Sequence, residues 1–364
     1  MIGTDLSCKY FAPFAQLGLV PIELPLHGGP AFPHGALQAL TNANLLSGIY
    51  KMKLRYLADL RSLAFVATYF SLVAYQWFAV PSSWWVAVPL LLATCVFSFF
   101  GAVITHNTIH SPVFKSRGVN RVFQVILSLT YGSAVSAYVP GHNLSHHKHV
   151  QTHKDVMRTT KVRHQWNLLN MIEFAPKIGV AIMKNDVVYV SAMKGTHKKW
   201  FRQYQIENAA VILSTVGLIA LDWRKGLIYW LLPHLYAAWG IISMNYLQHD
   251  GCDVSHRYNH SRNFVSKLVN WWTFNNGFHG IHHDTAGLHW SLLPAEHARI
   301  YAGNIDPRLE EKSMLVYLIR SFIYPGRRRT FDGKPVELPP AGKDENWVPR
   351  PEDTPNDLGA IAAG

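Results

Sequence analysis

The chain carries two pairs of long apolar runs, and a short polar link joins the two runs of each pair. The first pair covers residues 62–80 and 85–105, and the second covers residues 208–221 and 226–247. A helix needs about 20 apolar residues to cross the hydrocarbon core of a bilayer. The pattern therefore predicts four transmembrane helices arranged as two hairpins, each of which returns the chain to the side from which it entered.

The remaining segments are polar, basic or only partly apolar. Residues 122–139 are apolar but contain a glycine and are followed by a proline, which predicts a re-entrant or interfacial helix. Residues 156–205 and 251–275 mix polar or basic residues with aromatic side chains, which is typical of segments at the level of the lipid headgroups. From about Pro325 the chain is rich in Pro, Arg, Asp and Glu without apolar periodicity, which predicts a mobile tail.

These segments together predict an all-α integral membrane protein in which four transmembrane helices support a cytoplasmic helical cap. We divide the chain into an N-terminal cytoplasmic segment (1–60), a membrane domain (61–300) and a C-terminal cytoplasmic segment (301–364). The pattern shows no internal repeat.

Charge sets the expected orientation in the membrane. Basic residues at positions 51, 53, 55 and 61 precede the first apolar run, and basic flanks mark the cytoplasmic side. Two basic residues in the link 222–225 would lie on the opposite side and count against this orientation. A net charge of +12 in a chain that is 49% hydrophobic suits anionic lipid, and we find no motif for nucleic acid.

Two further features concern the compartment. The three cysteines fit no disulfide or zinc spacing, which indicates a reducing compartment. The first 45 residues lack the basic start and short apolar core of a cleaved signal peptide, so we expect the N-terminus to stay in the cytoplasm.

Histidines are concentrated in three clusters close to the predicted membrane segments. With one isolated histidine at the end of the second hairpin, they supply nine candidate metal ligands: His106, His110, His142, His146, His147, His249, His279, His282 and His283. On an α-helix His142 and His146 would share a face while His147 would point about 100° away, so this cluster could serve two neighbouring metals. A solvated histidine-rich loop is the simpler alternative, but three such clusters on one membrane face argue against it.

The number and type of these ligands favour iron. Nine imidazoles exceed the need of two tetrahedral zinc ions but suit two five- or six-coordinate irons with a position left open, and iron can activate dioxygen. Lipid chains at the membrane face offer only C–H bonds, which require a strong oxidant. Asp155 is a candidate for orienting a ligand histidine through its second nitrogen, with an ordinary surface acid as the alternative.

The other histidines do not fit these spacings. We expect surface positions for His27, His34, His164 and His197, and a position in the bundle interior for His234. The remaining ones are excluded from direct metal binding, although some could contact the ligands: His149, His153, His256, His260, His289 and His297.

The three clusters and the isolated histidine resemble the integral-membrane fatty acid desaturase and hydroxylase superfamily. The run from His147 to Asp155 and the sequence Asn276-Gly-Phe-His279 are similar to acyl-CoA desaturases. The first cluster, His106-Asn-Thr-Ile-His110, is instead similar to bacterial acyl-lipid desaturases. The second cluster has three residues between histidines where both groups usually have two, which leaves the subfamily and the substrate open.

This resemblance implies a cytoplasm-facing di-iron site that is fed by an acyl tunnel. Two iron ions and dioxygen as co-substrate would convert a C–H pair of a long fatty acyl chain into a double bond. Asn245, four residues before His249, corresponds to an asparagine that helps to complete one iron site through water. We expect the electrons to come from a separate ferredoxin or cytochrome b5-type protein with its reductase.

Other reactions remain open on the same scaffold. The oxidant could instead hydroxylate the chain, form a ketone, or decarboxylate a free fatty acid to a terminal alkene. A histidine-rich metal transporter is a third possibility. It would require ionisable residues inside the crossings, and the first two apolar runs contain none.

Overall fold

The computed structural model describes residues 53–342. Residues 1–52 and 343–364 lie outside the described part, and with them most of the N-terminal segment, including His27 and His34. The described part is mostly helical, as the apolar pattern predicts. Its one sheet is a short parallel pair formed by β1 (Asn263–Phe264) and β2 (Glu310–Glu311).

Eleven helical segments carry the architecture of the described part. They are α1 (Asp59–Ala79), α2 (Trp84–His110), α3 (Arg117–Tyr131), α4 (Val135–His149), α5 (Asn167–Thr196), α6 (Lys198–Leu221), α7 (Trp223–His249), α8 (Lys267–Trp272), α9 (His279–Asp284), α10 (Leu293–Ile300) and α11 (Met314–Ile323). Short 3₁₀ turns connect several of them.

Four of these helices are long and apolar enough to cross a membrane, namely α1, α2, α6 and α7. The two predicted hairpins are therefore confirmed as pairs of candidate spans. Helices α3 and α4 are bent by 82° against each other, which is the geometry of a re-entrant segment or of a broken span. The prediction for residues 122–139 agrees with this bend.

The third span differs from its prediction because it begins earlier. Helix α6 starts at Lys198, whereas the apolar run begins at residue 208. The helix continues through Glu207, whose carboxylate is fully buried and accepts hydrogen bonds from the Ser136 amide and the Gln203 side chain, both at 2.8 Å. A buried acid is tolerated where it has such donors.

The bundle interior holds His234, as the sequence predicts. Its Nε2 atom lies 2.9 Å from the Tyr69 hydroxyl and 3.1 Å from the Leu129 carbonyl oxygen. Gly132 ends α3 in the left-handed region at φ 79°, and a Cβ atom there would lie 2.6 Å from the His234 side chain. Only glycine satisfies both constraints, so the turn after α3 and the position of His234 depend on each other.

The segment after Pro325 is not all tail. Arg328 is buried and forms an ion pair with Asp250, the residue after the last histidine of α7. Its guanidinium also donates to the carbonyl oxygens of Val162, at 2.6 Å, and Thr159, at 3.1 Å. The chain around Arg328 therefore packs against the membrane domain. The charge of Arg328 is compensated by Asp250, which is far from it in the sequence.

We predict that the links of the two hairpins and the histidine-bearing helix ends lie on opposite sides of the membrane. In a cysteine-free variant, Ser255→Cys should react with an impermeant thiol reagent only in inside-out vesicles, and Ser83→Cys only in right-side-out vesicles. Both serines are exposed. The native Cys252 is a poor probe, because burial raises the pKa of its thiol to about 11. Labelling of both variants from one side would contradict the arrangement.

Candidate metal centre

The nine predicted histidines converge on one region of the structure. Helix α2 supplies two of them in its last turns, α4 supplies three, α7 supplies one at its end, and α9 supplies three. They form a group of five and a group of four, and within each group the ligand nitrogens lie within 4.8 Å of one another. The first group is His106, His110, His142, His147 and His282; the second is His146, His249, His279 and His283.

The division of the second cluster differs from the α-helical expectation. His142 and His147 belong to one group, and His146 belongs to the other. The cause is a π-helical stretch at Val139–His146, in which the His147 amide bonds to the carbonyl oxygen of His142, five residues back. This wider turn brings residues five apart onto one face, whereas an α-helix would have paired His142 with His146.

Distances between ring nitrogens in the second group indicate a common cation. The Nε2 atoms of His249, His279 and His283 form a triangle with sides of 2.9, 3.1 and 3.2 Å. Each such nitrogen presents either a proton or a lone pair. In at least one of the three contacts, two protons or two lone pairs must therefore face each other. Two nitrogens about 2.1 Å from one metal ion and at right angles would be about 3.0 Å apart, which fits the observed spacing.

The first group shows the same spacing. The Nε2 atom of His142 lies 3.1 Å from those of His110 and His147. The Nε2 atoms of His146 and His282 have no solvent contact and no hydrogen-bond partner among the described residues. Buried nitrogens without a partner are rare unless an ion or water completes them. The residues present therefore fit a metal in each group.

The imidazoles of α9 are held in the neutral form that binds metals. Burial, and then repulsion from neighbouring histidines, hold the pKa values of His279, His282 and His283 well below the ordinary value. A neutral ring offers a lone pair, whereas a protonated ring has none. The apolar packing of the site thus prepares these ligands without any change of pH.

Asp155 is fully buried, which excludes the surface acid that the sequence left open. Its Oδ2 atom accepts hydrogen bonds from His146 Nδ1 at 3.0 Å and from the backbone N–H of Gln151 at 2.8 Å. Its Oδ1 atom accepts from the Met157 amide at 2.7 Å. Because the carboxylate keeps the proton on Nδ1 of His146, the lone pair of Nε2 points into the second group.

An apolar cavity of about 300 Å³ reaches the histidines. Its metal end is formed by His106, His142 and His279, together with the amide side chains of Asn245, Gln248 and Asn276. Its walls are largely aliphatic and come from α4, α5 and α7: Ala137, Gly141, Gly179, Ile182, Met183, Ala238, Ile241, Ile242 and Met244. Such a space suits a hydrocarbon chain.

A second cavity of about 370 Å³ also reaches the histidine groups, through other rings. It contacts His147 and His283, and its remaining lining is mainly polar: Val150, Val254, Ser255, His256, Arg257, His260 and Asp284. The two groups of histidines therefore border an apolar cavity through one set of rings and a polar cavity through another.

A family model described as fatty acid desaturase matches residues 82–309. The match covers more than half of the chain and includes all nine histidines. The chain belongs to the fatty acid desaturase family. No curated protein matches the chain. Family membership and the four apolar helices identify an integral membrane oxidoreductase.

Several residues around the histidine groups were not singled out as site residues from the sequence. The side-chain nitrogen of Asn276 lies 3.3 Å from Nδ1 of His106, and the side-chain nitrogen of Gln248 donates to the backbone carbonyl oxygen of Asn276 at 2.9 Å. The Tyr138 ring packs against His142, with 5.5 Å between ring centroids. Each of these residues is within four positions of a cluster histidine, and that proximity was the signal that could have found them.

The histidines that the sequence excluded lie outside both groups. His289 contacts Asp59 at 3.1 Å and His297 contacts Glu310 at 2.8 Å, so both have carboxylate partners elsewhere. The His260 ring lies 3.1 Å from the Tyr301 hydroxyl, and the backbone carbonyl oxygen of His260 is 3.2 Å from Nδ1 of His249. His153, His164 and His256 are exposed. His260 thus supports a cluster histidine through its backbone.

We predict that Asp155→Asn weakens metal binding by the protein. The change keeps the side-chain shape but removes the charge that fixes the proton of His146, and the loss of such a partner typically lowers metal affinity about 10- to 100-fold. Iron retained against a chelator series measures the effect. Glu173→Gln is the matched control, because Glu173 pairs with His164 at 2.8 Å on the surface. Equal iron retention in the two variants would contradict the proposed role of Asp155.

Proposed function

We propose that this protein is a di-iron, dioxygen-dependent oxidoreductase that desaturates a long fatty acyl chain. The observation that carries the proposal is the pair of buried histidine groups at the end of an apolar cavity. One iron would be held by the group of five histidines and the other by the group of four. Nine imidazoles, without a thiolate, are a ligand set that iron accepts.

In this proposal the metals and the protein side chains have different roles. Two iron ions with dioxygen and two external electrons would supply the oxidising power to remove two hydrogens from an unactivated C–H pair, with the dioxygen reduced to water. The side chains of the cavity walls hold a methylene chain against the histidines and keep water out, which protects the reaction from side products. Asp155 holds His146 in the required tautomer, and the Asn276 side chain contacts Nδ1 of His106.

Asn245 is proposed to support the second iron indirectly. Its side chain is buried, lies in the cavity lining one turn before His249, and donates to the Met157 carbonyl oxygen at 2.9 Å. The hydrogen bond fixes the amide so that its oxygen remains available to a bound water. The contact to the metal would be indirect, so loss of Asn245 should be milder than loss of a ligand.

Electrons are proposed to arrive from a separate ferredoxin or cytochrome b5-type protein on the cytoplasmic side. The polar cavity beside His147 and His283 supports this, because it reaches the histidines through rings that do not line the acyl cavity. Arg257 is exposed at its edge and would attract a negatively charged donor. The positive charge before the first span supports the same orientation.

We predict close to two iron atoms in each purified chain. His147→Ala and His283→Ala should each lower the iron content and abolish turnover, because each removes a nitrogen from one group. Asn245→Ala should keep most of the iron. Elemental analysis of the purified variants gives the measurement, with His197→Ala as the control, since His197 lies outside both groups. Full iron content and activity in His147→Ala would remove that residue from the site.

We predict a double bond as the product of the reaction. The purified protein should be incubated with a deuterated saturated substrate, dioxygen and a reductase system, and the products analysed by mass spectrometry. Loss of two deuteriums with the carbon count unchanged supports desaturation. An alkene that is one carbon shorter, or an alcohol or ketone with oxygen from labelled dioxygen, would instead identify a decarboxylase, hydroxylase or ketolase on the same di-iron site.

A further inference from the structure

One acidic side chain in the wall of the acyl cavity has no assigned role. Helix α5 lines the cavity with Gly179, Ile182, Met183 and Asp186, a spacing that places all four on one helical face. The Oδ1 atom of Asp186 has no contact with solvent and no hydrogen-bond partner among the residues that the structure describes. A carboxyl group in this position is costly to bury unless a ligand supplies the missing partner.

The charge state of Asp186 suits an apolar surrounding. Burial raises the pKa of its carboxyl group to about 8, so the protonated form dominates at neutral pH. A protonated carboxyl group both donates and accepts one hydrogen bond. The nearby Tyr131 hydroxyl already donates to the Ala134 carbonyl oxygen at 3.1 Å. Asp186 is therefore a cavity group with unused hydrogen-bonding capacity.

Asp186 is separated from the histidines by apolar wall. The Ile182 side chain lies beside Gly141, which precedes His142, since a Cβ atom on that glycine would be 3.4 Å from Ile182. Asp186 is about one helical turn further along α5 and lies in electrostatic range of Tyr131 and Tyr204. The cavity thus has the metal groups in one region and a single carboxyl group in another.

We propose that Asp186 binds the oxygen-bearing end of an unesterified long-chain substrate, namely a free fatty acid or a fatty alcohol. The inference rests on the proposed function and names its substrate class. Either end group is small and can accept the proton of the Asp186 carboxyl. The Oδ1 atom has no contact with solvent, so a small end group suits it, and coenzyme A is far larger. The position of oxidation is then counted from the oxygen-bearing end.

Direct binding tests this inference without turnover. Palmitic acid, hexadecanol, hexadecane and palmitoyl-coenzyme A should be compared on the purified holoenzyme by competition with radiolabelled palmitic acid. We expect the acid or the alcohol to bind at least tenfold more tightly than hexadecane, and the tighter of the two identifies the source of the end group. Preference for palmitoyl-coenzyme A, or equal binding of palmitic acid, hexadecanol and hexadecane, would overturn the proposal.

Substitutions of Asp186 test whether this residue causes the preference for the acid and the alcohol. Asp186→Leu should weaken binding of the acid and the alcohol at least tenfold while hexadecane binding and iron content stay unchanged. Asp186→Asn, which still donates a hydrogen bond, should bind hexadecanol within about threefold of the native chain. Val187→Leu, an apolar change at an exposed position of α5 that does not line the cavity, is the matched control. Native affinity for the acid and the alcohol in Asp186→Leu would refute the role of Asp186.

The position of the product separates this inference from the proposed function. With saturated substrates of 14, 16 and 18 carbons, the native enzyme should oxidise at a constant distance from the oxygen-bearing end, and Asp186→Leu should scatter that position. Oxidation with unchanged regiochemistry in Asp186→Leu would leave the di-iron function standing and reject the anchor. Selective binding without any oxidation would support the anchor and reject the oxidative function.

Discussion

The crowding of neutral imidazoles in a buried site is the constraint on which the rest of the structure depends. Three Nε2 atoms within 3.2 Å of one another cannot all form hydrogen bonds, because each presents only a proton or only a lone pair. A cation resolves this conflict for all of them at once. The binding energy of such a cation would add to the stability of the fold, since the unfolded chain offers no such arrangement.

The helices are long enough to place this site at the edge of the membrane. Helices α2 and α7 each span 27 residues, which corresponds to about 40 Å, whereas the hydrocarbon core is about 30 Å thick. Their last turns, which carry His106, His110 and His249, therefore extend beyond the hydrocarbon. The cap formed by α4 and α9 closes over these turns and completes both groups. A metal site at this level meets lipid chains on one side and polar partners on the other.

The sequence predicted which histidines converge but not how they divide. Spacing and helix ends were sufficient for the convergence, because the hairpins return the chain to one face. The division depends on the π-helical turn before His147, and a regular α-helix cannot produce it. Similarly, the composition after Pro325 resembles a tail, yet Arg328 is held by Asp250, 78 residues away. Local patterns do not report such distant partners.

In the proposed reaction the cavity, rather than the ligand set, would decide which carbon reacts. All methylenes of a saturated chain are chemically alike, and the aliphatic walls near Ile182 and Ile241 would pack against each of them equally well. A chain held only by such walls can slide by one carbon at little cost, because every methylene that leaves a position on the wall is replaced there by an identical one. A fixed position of oxidation therefore needs an anchor at one end of the chain. Among the polar groups of the cavity, Asp186 is on a helix that bears no cluster histidine, and its Oδ1 atom has no protein partner in the described part of the chain. The same carboxyl group is thus suited to set both the substrate class and the position of the product.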